Sequence, residues 1–421
     1  MAGDRRFHWE YQEPHIERQA FRVTGGRPLS GRVRISGSKN AALKMLAAAT
    51  LTGERCRFTN VPEIEDVNVM VEVLRDLGVV VDHPAENTYE VAAGDVDWLF
   101  VPLEAAAKMR ASFILLGPLL TRFGRVIISN PGGDRIGRRP VNLHVDAMRA
   151  LGADIEYRDG YYFARAPGRL RGTQVDFPMV SVMGTENAML AAALAEGTTV
   201  IRPAAQEPEV DDLISFLQKM GAEVERRPPD AIVVQGRRRL RGAEHSIISD
   251  RIEAGTFVVA GAITGGDVTL DSAPCEYLGA FLDVLAGVGV NVACGTDTIE
   301  VRGAPPGSGA YRACDVETAP YPGLATDLQP PTSVLLSQAN GASNVHERIF
   351  EDRLEWLSEL RKLGADVTMV DDRHASIRGP ARLHAAEVEM GDLRAGASLI
   401  LAALAADGTS IIHGAHHVRR G

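Results

Sequence analysis

Residues 39–53 read KNAALKMLAAATLTG, an Ala- and Leu-rich run that opens on a cation and closes on a Gly turn. The same outline recurs down the chain. Counting back 14 residues from the turn glycines Gly53, Gly124, Gly197, Gly265, Gly341 and Gly408 lands on Lys39, Arg110, Met183, Arg251, Asp327 and Arg394. Five of these six are charged, and the text between is apolar in every copy, as in ASFILLGPLLTRFG and AGASLILAALAADG. An apolar run of that length predicts a buried helix opened by the landing residue. A helix start carries free N–H groups and the positive end of the dipole. Six such starts, four of them cationic, predict a scaffold that gathers helix N-termini around anions.

The turn glycines recur every 67 to 76 residues, which marks six copies of one unit. After each turn comes a β-branched run, then an amphipathic stretch ending in Leu-Gly or its like at Gly78, Gly152, Gly221, Gly289 and Gly364. Apolar periodicity closed by Gly predicts a capped helix, and the alternation beyond it predicts strands. Each unit is therefore predicted as strand, helix, strand, helix, strand, strand. By the spacing, the second helix of the sixth unit ends at about position 435, so the last repeat is read as cut short at Gly421.

A chain of 421 residues exceeds what one core supports, and six units divide most simply into two groups of three. With 45% hydrophobic and 24% charged residues, and no apolar run that spans a bilayer, a membrane role is not expected. The opening MAGDRRFHWEYQEPHIERQ lacks the apolar region of a secretory signal, so residues 1–20 are read as a polar tail and the protein as cytoplasmic. A net charge of −10 argues against a sequence-blind grip on nucleic acid, so anion binding must be local. Cys56, Cys275, Cys294 and Cys314 fit neither a CxxC pair nor a zinc spacing, and no disulfide framework is expected. The histidines form no HExxH or HxH set, and no metal or other cofactor is expected.

Chemistry is concentrated in short stretches. In Ser36-Gly37-Ser38-Lys39-Asn40, Gly lets a phosphate approach the backbone and Lys supplies a point charge; a capping Ser beside a solvated Lys is the plainer alternative. Residues 131–140, PGGDRIGRRP, hold three glycines and three arginines with no acid beyond Asp134, which suits a lid over an anion. Asp327, in ATDLQ, is the one acidic landing residue. It reads either as a helix cap or as a general base toward a hydroxyl held beside anionic groups. Arg353, the pair Asp392 and Arg394, and Arg420 add guanidinium groups suited to bidentate carboxylate or phosphate contacts, although Arg353 alone also reads as a solvated helix residue.

Together GSKNAALKMLAAATLTGE, KMRASFILLGPLLTRFG, GGDRIGRRP, VSVMGTEN, EPEVDDLISFLQKMGA, SDRIEAGTF, ATDLQ, FEDRLEW and GDLRAGAS resemble the UDP-N-acetylglucosamine 1-carboxyvinyltransferase family, from about Phe21 onward. The resemblance implies a two-domain inside-out α/β barrel of six βαβαββ units, with helix N-termini facing a cleft. Chain crossings near Ser38 and Ser249 would make the first domain discontinuous, residues 21–38 with 249–421, and the second 39–248, carrying the active-site loop 131–140. The implied reaction, the first committed step of peptidoglycan synthesis, adds the 3-hydroxyl of UDP-N-acetylglucosamine to C2 of phosphoenolpyruvate and then eliminates phosphate. The implied partners are those two small molecules, with no metal.

Carried over by motif, Lys39 and Asn40 match residues that hold phosphoenolpyruvate, with Arg139, Arg394 and Arg420 around its phosphate and carboxylate. Arg110, Pro140, Val141, Asn142, Leu143, Met179, Val180, Ser181, Val182 and Ile349 match the sugar-nucleotide site. Asp327 matches the carboxylate proposed to deprotonate the 3-hydroxyl. Three positions depart from the pattern: Asp134 where the family usually has a Cys that fosfomycin alkylates, Asn142 where it commonly has Asp, and Met179 where it commonly has Lys. Asp134 as proton donor requires a desolvated, closed loop, because neighbouring arginines lower a carboxyl pKa. Asn142 and Met179 leave open a paralogue with a different nucleotide acceptor, and the lost Cys leaves open a catalytically silent homologue.

Overall fold

Each predicted landing residue opens a helix. In a computed structural model, which describes residues 19–133 and 136–421, the α-helices Lys39–Ala48, Val182–Ala192, Arg251–Ile263 and Leu393–Ala405 begin at or beside theirs. Arg110 opens and Asp327 lies in short 3₁₀ turns, Arg110–Leu115 and Thr326–Leu328, that continue into the α-helices Leu116–Phe123 and Gln329–Leu336. Their Ala, Leu and Ser content lets them sit in the interior on all sides. Every residue of Gln329–Leu336 is buried, as is every residue from Ala41 to Ala48. The strands lie outside and are buried on one face only, as in the alternation of Arg55–Thr59. Helices at the centre and sheets on the surface reverse the usual layering of α/β proteins, and define the expected inside-out α/β fold.

The apolar residues form two separate cores. One gathers residues between Ala41 and Ile247, the other Ile35 with residues between Ile252 and Ile412. Below they are called the 41–247 lobe and the 252–412 lobe. In five of the six sheets among the described residues, a leading strand runs parallel to the strand after the inner helix, which in turn runs antiparallel to a hairpin strand. The helices before the hairpins end at Gly78, Gly152, Gly221, Gly289 and Gly364, all with φ between 90° and 97°, a conformation Gly adopts without strain.

Two strands change partners between the lobes. Ser30–Arg34 precedes the helix Lys39–Ala48 in the chain, yet pairs in parallel with Asp267–Asp271 of the other lobe. In exchange, Glu244–Ser246 pairs with Arg55–Thr59. The two crossings touch where Gly37 bridges Ser249. A Cβ at Gly37 would collide with the carbonyl oxygen of Asn60, so this glycine serves the crossing of two segments of the chain and not the approach of a phosphate. In the sixth sheet Ala20–Thr24 lies antiparallel to Thr409–His413, in the place a hairpin strand holds elsewhere.

One expectation is corrected. Cys275, in the turn Cys275–Tyr277, and Cys294, at the end of the strand Asn291–Cys294, are joined as a disulfide with Cα atoms 6.1 Å apart. The fold brings them together, with no spacing motif to announce it. Among the described residues no helix is long and apolar enough to cross a membrane.

Candidate active site

All six landing residues line one cavity of about 420 Å³ with walls from both lobes. That volume falls in the range of small-molecule sites. Where the helix starts carry side-chain caps, these differ on its two sides. In the 41–247 lobe the caps are serines: Ser38 Oγ accepts from the Ala41 N–H at 3.4 Å and Ser181 Oγ from the Gly184 N–H at 3.2 Å. In the 252–412 lobe they are aspartates. Asp250 accepts from the Ile252 and Glu253 N–H groups at 2.8 and 3.0 Å, and Asp392 from those of Arg394 and Ala395 at 2.9 and 3.1 Å. Asp250 also accepts from the Lys39 N–H at 3.1 Å, tying the two lobes at a helix start.

Asp327 sits among cations. Its Oδ1 accepts from Arg353 at 3.0 Å and its Oδ2 from Arg394 at 3.2 Å. Burial alone would raise this carboxyl, but Arg394, Arg353, Lys39 and Arg251 outweigh burial and hold it well below the usual carboxylate range. Arg353 is no solvated helix residue: it is 2% exposed, also faces Asp392 at 3.9 Å, and its Nε has no partner among the described residues. The Lys39 ammonium is likewise not solvated. Burial and then Arg394 lower its pKa, while Asp66, 3.3 Å away, opposes them. Asp66 in turn accepts from Arg420 Nε at 2.9 Å.

On the other wall Arg110 donates to the backbone carbonyl of Arg139, and burial together with Arg139 lowers its pKa to about 10. Asn187 fixes the ring beside it. Its Oδ1 accepts from the Gly117 N–H at 2.7 Å, so its Nδ2 donates to the Phe113 carbonyl at 2.9 Å and to His144 Nδ1 at 3.0 Å. His144 therefore carries its proton on Nε2, and burial with Arg110 keeps it neutral, its pKa lowered to about 3. The loop is met by an acid from the opposite lobe: the Arg138 N–H donates to Glu351 at 2.8 Å, and Arg139 lies 5.5 Å over the Phe350 ring.

Of the residues singled out in the sequence, Lys39, Asn40, Arg110, Arg139, Pro140, Leu143, Met179, Val180, Ser181, Val182, Asp327, Ile349, Arg353, Arg394 and Arg420 line the cavity. Val141, Asn142 and Asp392 do not: Val141 is buried, Asn142 is exposed at the start of the helix Asn142–Ala150, and Asp392 caps the helix Leu393–Ala405. Asp134 lies outside the described residues. Sequence reasoning missed Asp66, Lys44, His144, Glu207 and Glu209, and gave Arg251 a helix start but no partner. Arg251 is held by Glu209 at 3.1 and 3.3 Å. Beneath it the wholly buried Glu186, which burial drives up to about 7, faces Lys44 at 3.5 Å.

A cleft between two lobes, ringed by helix N-termini and arginines around the half-buried carboxylate of Asp327, defines a transferase-type site for anionic substrates. The family described as EPSP synthase (3-phosphoshikimate 1-carboxyvinyltransferase) matches residues 23–421, and the chain belongs to it. It is 46% identical over 402 residues to a UDP-N-acetylglucosamine 1-carboxyvinyltransferase of Solibacter usitatus, covering 95% of each chain. To a protein of the same name from Hyphomonas neptunium it is 43% identical, over 95% of this chain and 93% of the other. Among solved structures, the enolpyruvyl transferase NikO from Streptomyces tendae superposes with a TM-score of 0.86 at 27% identity, over 96% of this chain and 94% of that one. EPSP synthase from Acinetobacter baumannii, at 21% identity and a TM-score of 0.73 over 95% of each chain, shares the fold.

Proposed function

We propose that this protein transfers the enolpyruvyl group of phosphoenolpyruvate to the 3-hydroxyl of UDP-N-acetylglucosamine, releasing phosphate, in the cytoplasm and in support of peptidoglycan synthesis. Residues 21–38 with 249–421 form one domain of this reading and 39–248 the other, with the substrates between them. The observation that carries it is the convergence of six helix starts, with Lys39, Arg353, Arg394 and Arg420, on one cavity around Asp327.

Lys39, Asn40, Arg139, Arg394 and Arg420 receive the phosphate and carboxylate of phosphoenolpyruvate. Arg110, Pro140, Leu143 and residues 179–182 face the sugar nucleotide. Asp327 removes the proton of the 3-hydroxyl as the oxygen attacks C2 and a proton reaches the methylene carbon; the tetrahedral ketal then loses phosphate from C2 and a proton from the new methyl group, which restores the C=C bond of the enol ether. Two arginines on Asp327 make it a poor base as it stands. Arg394 is also the group an incoming anion would engage, so substrate binding relieves the carboxylate and raises its basicity as the hydroxyl arrives. Arginines and helix dipoles stabilise the developing charge.

The test is phosphate release from phosphoenolpyruvate with UDP-N-acetylglucosamine against a panel of other nucleotide acceptors. Preference for another acceptor would favour the paralogue reading, which the 61% exposed Met179 on the cavity lip motivates; no release with any acceptor would favour a silent homologue. Asp134 is assigned here as the proton donor, a role that requires the loop to close and exclude water. A carboxylate is a far weaker nucleophile toward an epoxide than a thiolate, so the enzyme should resist fosfomycin, and Asp134→Cys should gain a covalent adduct visible by mass spectrometry. An active Cys variant that stays unmodified would count against that placement of the loop.

A further inference from the structure

Asp66 belongs to none of the motifs above, yet it holds two of the cations assigned to phosphoenolpyruvate. It lies in the first turn of the helix Glu65–Asp76 and is 4% exposed. Its Oδ2 accepts from Lys39 Nζ at 3.3 Å and from Arg420 Nη2 at 3.4 Å, and its Oδ1 accepts from Arg420 Nε at 2.9 Å. Lys39 and Asp66 are on the 41–247 side of the cavity. Arg420 is on the 3₁₀ turn Ala415–Arg420, which packs on Leu393–Ala405 of the other lobe. All three line the cavity.

A carboxylate between an ammonium and a guanidinium has the chemistry of a bound anion. At this end of the cavity Asp327 holds Arg353 and Arg394, Asp392 also faces Arg353, and Asp66 holds Lys39 and Arg420. An incoming phosphate or carboxylate that engages Lys39 and Arg420 must compete with Asp66 or sit beside it, and like charges at that distance repel. We propose that Asp66 is a surrogate anion that occupies the Lys39 and Arg420 positions before phosphoenolpyruvate does, holding the final turn against the opposite lobe and weakening anion binding until substrate displaces it. Asp66 is in this sense a positioning residue that sets affinity. The proposal rests on the assignment of Lys39 and Arg420 to phosphoenolpyruvate made above.

The sign of one measurement separates this role from that of an ordinary structural ion pair. Asp66→Asn keeps shape and removes the charge. Calorimetric titration with phosphoenolpyruvate, and separately with inorganic phosphate, should show about tenfold tighter binding in Asp66→Asn than in wild type. Hydrogen exchange of residues 415–420 should rise in the ligand-free variant and return to the wild-type level when phosphate is added. Unchanged or weaker anion binding in the folded variant would overturn the proposal. Wild-type protein that binds neither anion, while Asp66→Asn also binds neither, would instead overturn the underlying assignment of the site. Should Asp66→Asn fail to fold, Asp66→Ser carries the same expectation.

Discussion

The two walls of the cleft are built from the same unit, but their charge is handled differently. On the 252–412 side every charged helix start is compensated before any ligand arrives: Arg251 by Glu209, Arg394 by Asp327, and the backbone N–H groups by the caps Asp250 and Asp392. On the 41–247 side the side-chain caps are neutral serines, Lys39 is paired with Asp66, and burial and then Arg139 lower the pKa of Arg110. Carboxylates hold the helix starts at Arg251, Arg394 and Lys39, whereas Arg110 makes no ion pair among the described residues. The difference separates contacts that are structural from one that awaits a ligand. Removing Arg251 leaves a buried carboxylate alone, whereas removing Arg110 relieves its repulsion from Arg139.

The largest expected effect belongs to the carboxylate that is both clamp and reagent. Asp327→Asn keeps the hydrogen-bonding shape toward Arg353 and Arg394 and removes the base. Loss of a general base costs about 10²- to 10⁴-fold, so steady-state assays should show kcat falling by that order while calorimetry shows sugar-nucleotide affinity largely kept. Turnover within a few-fold of wild type would mean that Asp327 serves only as a clamp on the arginines.

Arg251→Met and Arg110→Met set the two walls directly against each other. Breaking a buried pair by removing one partner costs about 3–5 kcal/mol, and Glu209 is 3% exposed. Arg251→Met should therefore lower the urea midpoint sharply. Arg110→Met should leave that midpoint unchanged or raised, and should weaken sugar-nucleotide binding by one to two decades, as expected from about 1.5–3 kcal/mol for a hydrogen bond to a charged group. Equal loss of stability in both variants would erase the distinction between the walls.

Much of this was legible in the sequence because the repeat is regular. A Gly turn at fixed distance locates each helix start, and helix starts converge because six similar units pack around two centres. Partners set by tertiary contact left no comparable signal. Asp66 stands in the first turn of a helix, where acids are commonplace, and Arg420 lies 354 positions away. The exchange of strands Ser30–Arg34 and Glu244–Ser246 is equally silent, since each is followed by its own inner helix and both read locally as leading strands. The Ser36-Gly37-Ser38-Lys39 text carried a mixed message: Ser38 does cap the helix, Lys39 does face the cavity, and Gly37 answers to Asn60. Motif transfer assigned Asn142 to the nucleotide site, and the helix that starts there leaves Asn142 exposed while Leu143 and His144 line the cavity.

The smallest expected effect tests the lip of the cationic wall. Met179 is 61% exposed and lies beside Val180, Ser181 and Val182, where the helix Val182–Ala192 begins. A lysine there would place an ammonium near the helix start, and so near any diphosphate held by Arg110. Because the position is open to solvent, the gain is screened, and an exposed ion pair adds about 0–1 kcal/mol. Met179→Lys should therefore tighten UDP-N-acetylglucosamine binding by no more than about fivefold, and the gain should fade as salt is raised from low to physiological strength, since exposed charges are screened over about 8 Å there. It should leave phosphoenolpyruvate binding unaltered. A salt-insensitive gain much larger than this would mean that Met179 is enclosed when the nucleotide binds, and that the wall closes over its ligand further than the free protein indicates. Weaker binding would instead mean that an apolar contact from Met179 is part of acceptor recognition, which is the outcome expected of a paralogue built for a different nucleotide.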